Sequence, residues 1–474
     1  MRNSSKKILV LLALMALAFA AAGCSDDDDN PMAPDMGKGA MLRVVHASPN
    51  APTVDVYAEG VAAPLLTGLA YTQTSMYLDL DAGTYNIQLR GAGAMPTSPP
   101  AFETGDIIIP EGAVITAVAA GNFGSMDDDD MFRVIPLVEE WASPGAGNAA
   151  VRVLHAGADA PTVAIDVGND GTAEIPDFAR FAETGPAGVA LPAGSPLAVG
   201  IWAGSPLARV TAFQTPALPE ANIILIATGM LGKLPRDDMG FGLLAVGPSG
   251  TVGLIRQNPT VFVLHASPDA PAVDIFVGGT DTELVGDLSF SSLSPAVQVP
   301  PAAYSLDVKV STNGALAGTV MTPELMAGER YLAIASGFAL GGTPGFTVLP
   351  YGEKFGDSAS PQVRVVHASP DAPTVDVGLW DGMDFTAISD YSGLSFGDAS
   401  PESGLPIGAM NITVGVAVTQ TNTPAATFDL ALMGGQKAFA IAAGSLGGTG
   451  ETFRLMLVDT TEFPWQTAQV MPNP

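Results

Sequence analysis

The chain has 474 residues, 47% of them apolar, and 48 acidic against 19 basic side chains for a net charge of −29. Such a length holds three or four ordinary domains, each with its own core. An acidic surface without Lys/Arg stripes repels phosphate backbones and excludes nucleic-acid binding; it favours solubility, cation attraction or salt tolerance. Abundant Gly (54) and Pro (39) with few aromatics (7%) point to a globular all-β chain rich in turns.

In chain order, Arg2, Lys6 and Lys7 precede the run ILVLLALMALAFAAAG over 8–23. This is the charged n-region and apolar h-region of a secretory signal, and it is shorter than the roughly 20 residues of a membrane span. The run ends in Ala21-Ala22-Gly23-Cys24, and Cys24 is the only cysteine. A single thiol cannot form an internal disulfide. The stretch resembles the lipobox of bacterial lipoproteins, with Ala21 where that motif usually has Leu. The resemblance implies cleavage of 1–23, acylation of Cys24 and a membrane partner reached through that lipid. Several acyl chains anchor stably where one does not. Ser25, rather than an aspartate, follows the cysteine, so the expected address is the outer membrane or cell surface. With Cys24, SDDDDNPMAPDMGKGA completes an acidic tether (24–40) that extends by self-repulsion.

The stretch VVHASPNAPTVDVY from Val44 returns as VLHAGADAPTVAIDV, VLHASPDAPAVDIF and VVHASPDAPTVDVG. Its histidines, His46, His155, His265 and His367, are the only four in the protein and lie 109, 110 and 102 residues apart. Periods near 100 mark whole domains in tandem, not a solenoid. Two further anchors follow each histidine. One is a turn between alternating runs, as in LDLDAGTYNIQL, which predicts a β-hairpin. The other is an apolar strand ending in Gly121, Gly229, Gly337 or Gly444. With about seven short strands per unit, the expectation is four tandem antiparallel, immunoglobulin-like β-sandwich modules. Their spans are 41–142, 150–254, 260–355 and 362–474, with breaks too short for free swinging.

The [VL]-[VL]-H-A-S-P-D-A-P-x-V-D-V stretch, the PAGTY-like turn and the AAG strand together resemble the domain of unknown function 4397 family, across nearly all of the mature chain. The resemblance implies a fold and a secreted or surface-anchored setting, with no established activity and no assigned site residues. Copy two departs, with Gly157-Ala158 for Ser-Pro and two extra residues before Asp166.

Each histidine shares a strand face with apolar residues at positions −2 and −4, such as Val44 and Leu42. It therefore lies on the core side, just before a Pro-fixed turn whose backbone it can tie down. The opposite face, carrying Arg43, Arg152, Phe262 and Arg364, is expected to be half-solvated. Asp55, Asp166, Asp274 and Asp376 complete the motif as structural residues on the next strand. The competing reading is a metal site, but one histidine per module without a thiol falls short of three or four ligands. Asp127–130 or Asp237-Asp238 could offer oxygens to calcium without EF-hand spacing. Triad, G-x-S-x-G and Walker patterns are missing, so no catalytic residue and no cofactor are expected. The resulting expectation is a lipid-anchored, non-enzymatic envelope protein acting in adhesion, matrix contact or assembly, with an extracellular polymer or protein as partner. The alternative is a carbohydrate- or calcium-binding module, for which Trp202 and Trp380 are candidate stacking platforms while Trp141 and Trp465 lie near a linker and the C-terminus.

Overall fold

A computed structural model describes residues 39–408 and 410–474. The lipidation candidate Cys24 and the acidic tether as far as residue 38 lie outside the described residues; Ala40, expected as the tether's last residue, is buried at the start of the first strand. The described chain is all-β, in eight sheets that pair into four sandwiches.

The first module shows the plan. Its strands are β1 (Ala40–His46), β2 (Val54–Ala58), β3 (Leu66–Leu69), β4 (Leu78–Leu80), β5 (Gly83–Gly91), β6 (Phe102–Ile109), β7 (Val114–Ala120) and β8 (Arg133–Val138). One sheet runs β4-β1-β7-β8 and the other β3-β2-β5-β6. The same two orders recur in the other modules, with an extra final strand in the second (Gly250–Arg256) and the fourth (Gln466–Val470).

Two expectations are corrected. The modules are not wholly antiparallel: β1 runs parallel to β7, with His46 opposite Ala119, and each module repeats this pairing. The LDLDAGTYNIQL turn is also not a hairpin, because β4 pairs with β1 while β5 pairs with β2 in the other sheet. The turn is a corner that carries the chain between sheets. In modules one and three it is pinned by Tyr85 and Tyr304, whose hydroxyls donate to the carbonyls of Asp81 and Pro300, four residues upstream.

The modules are fused in twos. Val45, Ala47, Val118, Ala120 and Leu137 of module one form a single buried cluster with Leu154, Ile224, Ile226 and Leu244 of module two. Phe262, Leu264 and Ile334 of module three do the same with Phe439, Ile441 and Trp465 of module four. Each pair is thus a four-layer stack in which the two histidine-bearing sheets are the inner layers. The face expected to be half-solvated is therefore buried: Arg43, Arg152, Phe262 and Arg364 are 2%, 3%, 1% and 5% exposed. The sequence signal for this was the near-continuous run of apolar and small residues in β7 and its equivalents (ITAVAA, IILIAT, LAIAS, AFAIAA), the pattern of a strand covered on both faces.

The buried arginines join the pairs with local two-fold symmetry. Arg43 donates to the carbonyl of Gly247 in module two (2.6 Å), and Arg152 donates to that of Val138 in module one (2.6 Å). Register places Val138 and Gly247 at equivalent positions, as it does Gly352, which accepts from Arg364 at 2.7 Å. This is a self-complementary contact within one chain, of the kind a two-fold homodimer makes. Between the pairs, Arg236 of module two reaches Glu353 (2.6 Å) and the carbonyl of Phe355 (2.8 Å) in module three.

Candidate functional site

The repeated motif begins where the histidine ends its strand. Nε2 of His46, His155, His265 and His367 lies 3.1, 2.9, 3.1 and 3.1 Å from the carbonyl oxygen of Pro52, Pro161, Pro271 and Pro373. A carbonyl only accepts, so Nε2 carries the proton and Nδ1 is left as an acceptor. Nδ1 of His155 receives the Gly157 amide at 3.4 Å; those of His46, His265 and His367 are buried without a partner. Burial pushes all four imidazoles below their ordinary pKa of 6.5, against a smaller opposing effect of the proline carbonyls. They are neutral donors, which is what loop-tying requires.

The residues after the histidine latch the turn to the end of the β7-type strand. Ser48, Ser267 and Ser369 donate to the carbonyls of Gly121, Gly337 and Gly444 at 2.6, 2.6 and 2.7 Å. Those glycines hold φ of +87°, +84° and +88°. A Cβ on any of them would stand 2.2–2.4 Å from a carbonyl oxygen, so only glycine fits. The acidic residue two positions after the serine caps the following loop. Asp269 accepts from the amides of Ala339 and Leu340 (2.7 and 3.0 Å), and Asp371 from Leu446 and Gly447 (2.9 and 2.7 Å). Asp159 and Asn50 do the equivalent for Leu231 and Phe123.

The second aspartate fastens the sheet's outer edge. Asp55, Asp274 and Asp376 accept from the amides of Gly68, Asp287 and Gly393 at 2.7, 2.8 and 2.7 Å. Gly68 and Asp287 sit at a bulge of the third strand and Gly393 beside the Leu394–Val375 bridge, with φ of +69°, +50° and +70°. Asp166 does something else: it accepts from the amides of Asp170 and Gly171 and from Trp202 Nε1 at 3.2 Å. Copy two has no insertion, because Val163 pairs as Val54 does and Ala164 stands where the other copies have the aspartate. Its departure at Gly157 has a packing cause, since a Cβ there would meet Ala160 at 2.9 Å and Phe241 at 3.0 Å.

The serine and acidic side chains of the motif therefore serve loops of their own module, while its backbone also bonds the paired module, the carbonyls of Ala47 and Ala368 accepting from Thr228 and Ser336 at 2.6 Å each. Among the described residues, no three His, Cys, Asp or Glu side chains converge on a common point. The Asp127–130 run folds into a turn whose Asp130 carboxylate takes Asn122 and Ser125.

One surface outside the motif has binding chemistry. On the outer face of module four an open groove of about 740 Å³ is lined by Trp380, Asp384, Thr413, Asp429 and Asn473. Trp202, the other candidate platform, is held in plane by Asp166. Trp465 is not peripheral: it is 4% exposed, inside the core shared by modules three and four.

No curated protein matches the chain. A family model does, over residues 40–166, 259–378 and 361–471, which together make up more than half of its length. The first two matches run past their own module into the next histidine motif. The chain belongs to the family described as a domain of unknown function (DUF4397).

Proposed function

We propose that this protein is a non-enzymatic, lipid-anchored component of the cell envelope, a stiff spacer that contributes to adhesion, matrix contact or envelope assembly. The observation that carries this reading is the use of the repeat motif: the histidine of each described module, the serine of modules one, three and four, and the Asp or Asn residues that follow serve loop closure. Fusion of modules into four-layer pairs supports a rigid build, and repetition favours many weak contacts over one tight one. In this reading Cys24 carries the lipid and the acidic tether lifts the modules off the membrane. The test compares cells carrying wild type, a deletion and Cys24→Ser. Loss of surface adhesion or envelope integrity on deletion, with Cys24→Ser released to the medium and unlabelled by fatty acid, is the expected result; full integrity on deletion would overturn it.

A second reading rests on the module-four groove. An indole beside hydroxyl, amide and carboxylate groups suits a sugar ring, which stacks its apolar face and hydrogen-bonds its edge. Thermal-shift screening against glycans, with Trp380→Ala as the control, separates this reading from the first.

A further inference from the structure

We propose that module one holds a binding cavity for a single aliphatic chain of fatty-acid type, a property the other modules do not share to the same degree. Between its two sheets lies an apolar cavity of about 350 Å³, lined among others by Val44, Val54, Ile87, Leu89, Thr104 and Ala117. The matching spaces in modules three and four measure about 60 and 40 Å³.

The difference has one main residue behind it. Phe213 of module two and Phe428 of module four, both 0% exposed, sit opposite Val199 and Val414 on the neighbouring strand. These valines correspond in register to Ile87, whose amide instead bonds Thr104 Oγ1 at 2.9 Å. Thr104 therefore occupies the place of a core phenylalanine, beside the bulge at Gly105 (φ +67°). On the facing sheet, Ala117 stands where module two has Leu225. The cores respond accordingly. Module four packs as one cluster around Phe428, whereas module one divides into three small clusters around the void.

The cavity also has an entrance. Its lining reaches Ile108 of β6 and Arg133, Val134 and Pro136 of β8, the edge strands of the two sheets. Module two closes the corresponding side by bridging Phe213 to Gln257. Ile108 is 77% exposed at this lip. Apolar cavities of about 150 Å³ already take up benzene; at about 30 Å³ for each water-sized unit, 350 Å³ holds roughly ten methylenes. The guanidinium of Arg133 lies at the mouth, where it donates to the backbone carbonyls of Met131 and Asp128 and stacks 4.0 Å over the Phe181 ring of module two; a carboxylate head would reach it at its remaining edge. At the floor, the unpartnered Nδ1 of His46 is an acceptor that an aliphatic chain leaves unused.

The test is isothermal titration and native mass spectrometry of residues 25–474 with dodecanoate below its micellar concentration. One dodecanoate per chain is expected. Thr104→Phe, which copies modules two and four, and Ala117→Leu, which copies module two, should each weaken binding at least tenfold while the melting temperature stays level or rises. Absence of binding to the wild type overturns the proposal. So does equal affinity in Ala117→Leu, the milder filling and the one read if Thr104→Phe does not fold.

Discussion

Trp465 stacks on Phe262 with ring centroids 4.4 Å apart and planes 15° from parallel, joining the last strand region of module four to the first strand of module three. Phe262 stands where the other copies have a buried arginine, and Trp465 covers it. We expect Trp465→Ala to cost about 3–5 kcal/mol, the usual range for emptying a large aromatic site. Equilibrium denaturation should show the loss in the transition of modules three and four, with that of modules one and two unchanged.

Pairing sets the folding unit. A fragment of residues 40–256 should be soluble, monomeric and cooperative in unfolding. A fragment of residues 40–142 would expose Val45, Ala47, Val118 and Leu137, and is expected to aggregate or to dimerise through that face. Limited proteolysis should accordingly yield two-module fragments; accumulation of stable one-module fragments would contradict the shared cores.

Arg43 and Glu139 form an ion pair at 3.2 Å with side chains only 3% and 8% exposed. Burial pushes the Glu139 pKa up, but the hydroxyls of Thr116 and Tyr77, the Trp141 indole and Arg43 outweigh it and hold the carboxyl below its ordinary value. Tyr77, half-buried beside that carboxylate, is pushed up to about 12 by desolvation and by the neighbouring negative charge. Glu139→Ala strands a buried guanidinium and should cost about 3–5 kcal/mol. The double variant Arg43→Met/Glu139→Leu should recover most of it, read as the denaturation midpoint.

The latch predicts a graded series in module four. Ser369→Ala unpairs the buried carbonyl of Gly444, and His367→Ala removes a buried imidazole together with its bond to the Pro373 carbonyl; each should cost about 1–3 kcal/mol. His367→Gln, which can still present an amide donor to Pro373, should cost less. Equal losses in all three would mean that packing, not the hydrogen bond, is what the imidazole supplies.

Stability should fall with acid in a defined window. The four histidines are below pKa 6.5 when folded and near it when unfolded, so the unfolded chain takes up protons first as pH drops. Their contribution is full above about pH 6.5 and declines as pH falls from there toward the folded values. Asp371 acts lower: its burial raises the pKa, Ser445 and the amides of Gly447 and Leu446 more than offset that, and its contribution is lost only below about 3.8. Replacing all four histidines by glutamine should flatten the melting temperature between pH 6.5 and 5; an unchanged slope would place the acid sensitivity in the carboxylates.

Much of this was legible in the residues. The fourfold spacing of the histidines, the glycines that end the β7-type strands and the proline-fixed turn are local features, and local sterics and hydrogen bonding determine them. They led directly to the all-β class, to tandem modules and to a histidine on the core side of its strand. The corner at Asp81–Gly83 was not legible as such, because alternation marks a strand without saying which sheet it joins.

What the sequence by itself determined was the repeat, the strand content and the local chemistry of each turn, since these depend on neighbours within a few residues. The tertiary structure alone decided the parallel pairing of β1 with β7, the burial of Arg43, Arg152 and Arg364 between modules, and the void left by Thr104. Each depends on which distant strand lies across from a residue. The same apolar pattern can cover one face against its own module or both faces against a neighbour, and only packing distinguishes them.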